Sequence, residues 1–195
     1  MEEKHIAEII SIDGLEIFAQ PRERATIQVG TLLKTTKINN LVFIVLDDLY
    51  ANLIPGGSHE AYGIEEDKLY EEYPHVGEYL RYLIKLYPLA EFDKERYFPF
   101  TKSPVMNALL YEVSYKEMER IFENRFVMLE LARIDTNRFP KRNKAIINLL
   151  RNYLSEFDAD GKIEKLKDIT LSLSTAFRKD YVSLMEIVRG VKINE

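Results

Sequence analysis

The chain has 195 residues, 46% of them hydrophobic, and carries a formal net charge of −5 from 27 basic and 32 acidic side chains. That length supports one substantial core, or a small domain with a helical appendage, and the negative balance disfavours indiscriminate polyanion binding while leaving room for a local basic patch. The absence of cysteine excludes a disulfide framework, a thiolate metal site and a cysteine nucleophile.

The opening "MEEKHIAEII" is charged and then strand-like, with no apolar signal-peptide core. The longest clean apolar run, Leu41–Leu46, is far too short to span a bilayer. A cytoplasmic protein without a membrane partner is expected. Residues 5–54 carry short β-type segments: "HIAEIISI", a turn at Asp13-Gly14, "LEIFAQ", and "NLVFIVLDDLYANL". Leu41–Leu46 lacks alternation, which predicts a strand buried on both faces. Several short strands within some fifty residues imply a small barrel.

Residues 30–36, "GTLLKTT", place a threonine directly after Lys34 and so resemble the tail of a phosphate-binding loop. A P-loop needs G-x-x-x-x-G-K-[ST], because its glycines let successive backbone N–H groups curl around phosphate oxygens. Leu33 precedes Lys34, and no glycine lies between Gly30 and Gly56. The segment therefore reads as a strand, Thr31 to Thr36, reached through a glycine turn.

Beyond "IPGGSHEAYG" the spacing turns helical. Val76, Tyr79, Leu80, Leu83 and Tyr87 recur at helical intervals after Pro74, and Pro88 then ends the predicted helix. An irregular connector follows, and "PVMNALLYEV" reads as one more strand. Ser114 and Glu117 form a capping box, with Val113 and Met118 in the staple positions. The remainder reads as helices separated near Pro140, Asp160-Gly161 and Asp180, with apolar stripes that include Ile146, Leu149, Leu150 and Tyr153, then Leu166, Ile169, Leu173 and Phe177, and finally Leu184, Ile187, Val188 and Val191.

Little in the chain points to catalysis. His5, His59 and His75 are widely spaced, and no H-E-x-x-H occurs. "EFDADGK" would put Lys167 where a calcium loop requires a bidentate glutamate, so an acidic helix–helix turn is expected there. Asp47 and Asp48 are neighbours on a strand and diverge unless a bulge intervenes. Glu65-Glu66-Asp67 suits the negative first turn of a helix. No nucleophile elbow or triad is present. We expect no enzyme, no catalytic or metal residues and no cofactor.

Two surface features stand out. Between Glu60 and Arg96 there are ten acidic against five basic residues, and nine of the 12 tyrosines lie between Tyr62 and Tyr115. Aromatic enrichment without positive charge suits a protein contact better than a nucleic-acid platform, unless the tyrosines are core at a barrel–helix junction. Tyr70, Glu71, Glu72 and Tyr73 are the candidate partner surface. A basic counterpart runs from Arg133 to Arg151, with Arg138, Lys141, Arg142 and Lys144 as candidate phosphate contacts.

"HIAEIISIDGLEIFAQ", "VGTLLKT" and the strand at Leu41–Tyr50 resemble the HAS barrel, which stands at the N-terminus of HerA-type DNA translocases and of the F-type ATP synthase catalytic-ring subunits. "GIEEDKLYEEYPHVGEYLR" and "SPVMNALLYEVSYKEMERIF" are similar to stand-alone bacterial members that carry the barrel without the ATPase. The chain departs from the pattern where "LVFIVLDD" replaces a glycine-rich strand of the type "GVVY". The resemblance implies an α+β fold: a HAS-like β-barrel over residues 1–114, with a helical insertion at about 65–102, and an α-helical part over 115–195. It also implies a non-catalytic assembly module whose barrels lie side by side, with a ring ATPase as possible partner and weak self-association. The alternative is a nucleic-acid-processing protein working with a HerA-type translocase. Nucleic acid is expected to bind weakly at most.

Overall fold

The computed structural model describes residues 4–22, 26–36, 39–52, 80–93 and 96–191. Strands β1 (Ala7–Asp13) and β2 (Glu16–Pro21) form the predicted hairpin, with Gly14 and Leu15 as its two-residue loop. Gly14 has φ +58°, the left-handed conformation that such a tight turn demands of a glycine at its first loop position. Then follow β3 (Leu32–Lys34), β4 (Leu41–Asn52), β5 (Leu80–Asp93), β6 (Arg96–Phe98) and β7 (Leu109–Glu112).

The strands run in the order β2-β1-β7-β3-β4-β5, every pairing is antiparallel, and a β2–β5 pairing closes the circle. The result is a closed six-stranded barrel, with β6 attached to the far end of β5. Closure leaves no free edge along the paired rungs. Five helices follow: α1 (Tyr115–Glu123), α2 (Arg125–Arg133), α3 (Arg142–Leu154), α4 (Ala159–Ala176) and α5 (Tyr181–Val191).

The period-two geometry of strands explains why there are two hydrophobic clusters. Ala7, Ile9, Ile17, Ala19, Leu33, Leu41, Phe43, Val45, Ile84, Leu86 and Leu110 fill the barrel interior. Leu32, Val42, Ile44, Leu46, Tyr87, Leu89 and Ala90 point outward and are covered by the helices. Leu41–Leu46 is therefore buried throughout, as its lack of alternation predicts.

The largest difference from expectation is at β5. The part from Leu80 of the helix predicted to end at Pro88, and with it the 80–93 and 96–98 parts of the helical insertion at about 65–102, is strand; residues 53–79 lie outside the described set. Pro88 sits beside a bulge, where Val42 pairs with Ala90 and Phe43 with Pro88. On its other side β5 pairs with β2 only through Ile84–Leu86 and with β6 only from Glu91. The missing N–H thus falls in a gap between two pairing partners, a position in which a strand tolerates proline.

The capping box at Ser114 is present, and Val113 and Met118 both pack into the helix-side core. Asp160-Gly161 is not a helix break. Asp158 is the N-cap of α4, accepting from the Gly161 N–H at 2.9 Å, so the break falls at residues 155–158. A break at Asn124, whose side chain caps α2 by accepting from the Phe126 N–H, separates two helices where the sequence suggests one.

Candidate functional site

Lys34 is only 7% exposed and donates to both carboxylate oxygens of Glu117, at 2.8 and 2.9 Å. Glu117 is the acidic member of the α1 capping box; its Oε2 also accepts from the Ser114 N–H and hydroxyl. Burial works against its charge, but the donors from Lys34 and Ser114 outweigh it and hold its pKa below the ordinary glutamate range. The lysine of "GTLLKTT" is therefore a strut between a barrel strand and the first helix.

Gly30, at the entrance to β3, has φ +98°, and a Cβ there would collide with the Ala145 carbonyl oxygen of α3. Asn148 Nδ2 donates to the Val29 carbonyl at 2.9 Å beside it. This glycine lets α3 lie against the barrel backbone.

Asp47 and Asp48 do converge, because β4 bulges at Leu46: Val45 pairs with Leu86 and Asp47 with Lys85. Both carboxylates meet Lys141 Nζ, and the Asp48 contact is 3.3 Å. Hydrogen bonding to Asp47 raises the Lys141 pKa. The acidic pair is thus matched by a lysine. Among the described residues no group of three His, Asp or Glu side chains is arranged to hold a metal ion.

The four candidate phosphate contacts are not brought together. Arg138 Nε pairs with Glu16 Oε1 at 3.0 Å, on the β1–β2 hairpin, where Lys85 reaches the same oxygen. Lys141 serves the aspartates. Arg142, 3% exposed, donates to the Ile134 carbonyl at 3.0 Å, to Asp180 Oδ2 at 2.8 Å and to Ser183 Oγ at 2.6 Å, tying α2, α3 and α5 together. Lys144 is exposed. Three of the four charges are thus engaged inside the molecule, which weakens the reading of this stretch as a phosphate-contacting surface.

The candidate partner surface Tyr70, Glu71, Glu72 and Tyr73 lies outside the described residues. The neighbouring tyrosines that are described belong to the interior and the junction. Tyr87 is buried and donates to Glu130 at 3.1 Å; burial, reinforced by that carboxylate's charge, pushes its pKa up to about 12. Burial likewise raises Tyr97 to about 12. Tyr82 donates to the Ile27 carbonyl at 3.1 Å, and Tyr115 stacks on Tyr153 with ring centroids 5.6 Å apart.

Arg133, from the basic run, joins three cations that no sequence signal singles out. Arg125, Arg133, Arg178 and Lys179 line one cleft between α2 and the α4–α5 corner. They come from segments some fifty residues apart, so no window along the chain reveals them.

No protein-family model matches this chain, and no curated protein matches it.

Proposed function

We propose that this protein is a non-catalytic assembly module in which the barrel docks laterally on another protein, a ring ATPase of the kind that carries HAS barrels, in the cytoplasm. The observation that carries the reading is the one-sided coating of the barrel. The helix-side core includes residues of β3, β4, β5 and the turn after β7, and none from β1 or β2. The outer face of the hairpin, with Glu8, Ile10 and Gln20 around a shallow groove, is left partly exposed. The barrel interior is filled by side chains, with Ala7, Ile9, Ile17, Leu33, Phe43 and Leu110 fully buried, so the outer wall is what the barrel offers to a partner. A lateral wall of that kind suits the head-to-tail contact a ring of barrels needs.

Crosslinking followed by mass spectrometry in the native host tests this. The expected result is a partner bearing a P-loop motor, crosslinked through residues of β1–β2, whose recovery is lost in Ile10→Glu while the melting temperature holds. A partner that survives that substitution, or substrate turnover by the purified chain, overturns the reading.

A further inference from the structure

We propose that the cleft between α2 and the α4–α5 corner is a binding site for a small polyanion bearing linked phosphates. This inference is independent of the barrel's role. The cleft has a volume of about 540 Å³, within the range of small-molecule sites. Its cationic lining is Arg125, Arg133, Arg178 and Lys179.

Three of these four cations have no carboxylate partner among the described residues. Arg138, Lys141, Arg142 and Lys165 each have a carboxylate partner, whereas no carboxylate among the described residues pairs with Arg125, Arg178 or Lys179. Arg133 reaches Glu130 at 3.3 Å while its side chain remains 64% exposed. The one acid in the lining, Asp180, is already committed: Oδ2 to buried Arg142 and Oδ1 to the Ser183 N–H. In a protein of net charge −5, four cations therefore face one concavity with little local compensation.

The shape and the donors select the ligand class. Arg125 and Arg133 stand on the same face of α2, eight residues or about 12 Å of helix apart, with Leu129 and Ala132 between them. Arg178 and Lys179 line the same cleft from the α4–α5 corner. That spread suits an elongated anion rather than a single phosphate. Three of the four donors are guanidinium forks, which match oxyanions in pairs of parallel hydrogen bonds. A cleft of this size favours a free small molecule over the backbone of a duplex, which would need an extended basic surface.

The test is calorimetric titration of the full chain with inorganic tripolyphosphate at physiological ionic strength. Saturable binding is expected, weakened at least about tenfold in the double variant Arg178→Glu, Lys179→Glu and changed less than about twofold in Lys144→Glu, an exposed cation outside the cleft. Circular dichroism checks that each variant is folded, and Arg125→Gln supplies a second probe from α2 if the double variant is not. No saturable heat, or equal weakening by Lys144→Glu, overturns the proposal. So does a labelled DNA duplex or an acidic peptide that binds more tightly than tripolyphosphate and is lost in the same variants, since the site would then belong to a macromolecule.

Discussion

Lys34 shows how a side chain that resembles a catalytic fragment is absorbed by the fold. Its side chain is 8% exposed, and the Glu117 carboxylate compensates the charge buried there. Removing one member of a buried pair leaves the other uncompensated, so Lys34→Met is expected to cost about 2–3 kcal/mol, less than a wholly buried pair because Glu117 keeps some solvent contact. Adding Glu117→Gln to that variant should restore part of the loss, as a urea double-mutant cycle would reveal. Additive losses would mean the two residues act independently. A second residue-scale prediction concerns acid. Glu91 accepts from the backbone N–H groups of Thr101 and Lys102 and from the Thr101 hydroxyl. Burial opposes its charge, yet these donors hold its pKa at about 2. A depressed carboxylate contributes stability that is fully present above its unfolded value, near 4.3, and is lost as pH falls towards 2. Thermal melts of the wild type should therefore decline across that interval more steeply than those of Glu91→Gln; parallel curves would refute the assignment.

At the scale of elements, β5 and the approach of α3 to the barrel are the instructive cases. The segment "YLIKLYPLA" is buried on both faces, so it lacks the alternation that marks a strand, and Ile84 is its only β-branched residue. Helical spacing of Leu80, Leu83 and Tyr87 and a terminating Pro88 complete a false helix. The decisive information was long-range, namely that β5 changes partner from β2 to β6 across the proline. By contrast, the β1–β2 hairpin and the start of α1 were legible, because a turn glycine and a capping box are local chemistry. Gly30 is a local signal with a distant cause. Gly30→Ala must accommodate both φ +98° and a collision with α3, and should cost at least about 2 kcal/mol in chemical denaturation. A cost near zero would show that α3 can back away from the barrel.

For the molecule as a whole, the two clusters are the two faces of the same strands. Val42, Ile44 and Leu46 cannot be buried without the helices, and Leu41, Phe43 and Val45 cannot be buried without the barrel. A single unfolding transition is expected, coincident by near-ultraviolet and far-ultraviolet circular dichroism; separated midpoints would show that barrel and helices fold alone. The same interdependence limited how much of the candidate site was visible in the sequence. The Arg133–Arg151 run is dense in cations, but the folded chain pairs Arg138, Lys141 and Arg142 with Glu16, Asp47, Asp48 and Asp180, three of these acids coming from the first third of the chain. Arg178 and Lys179, an unremarkable pair in the sequence, have no carboxylate partner among the described residues, the adjacent Asp180 being taken by Arg142 and the Ser183 N–H. Charge density along a chain does not give charge balance in space.

The β4–β5 ladder has a consequence for how the chain tolerates change. Its last rung pairs Asn52 with Leu80, so the chain departs from and returns to points held across one antiparallel rung, about 5 Å apart. The ends of the intervening stretch, residues 53–79, are thus already joined by the scaffold, and the entropy of closing a connection there varies only slowly with its length. Such a junction behaves as a cassette site: its contents can be exchanged while the register on either side is kept by the rungs from Leu41 to Ala51. Replacing residues 53–79 by an Asn-Gly turn should yield a folded, thermally stable barrel, and the shortened protein would isolate whatever the acidic, tyrosine-rich stretch does from everything the fold requires.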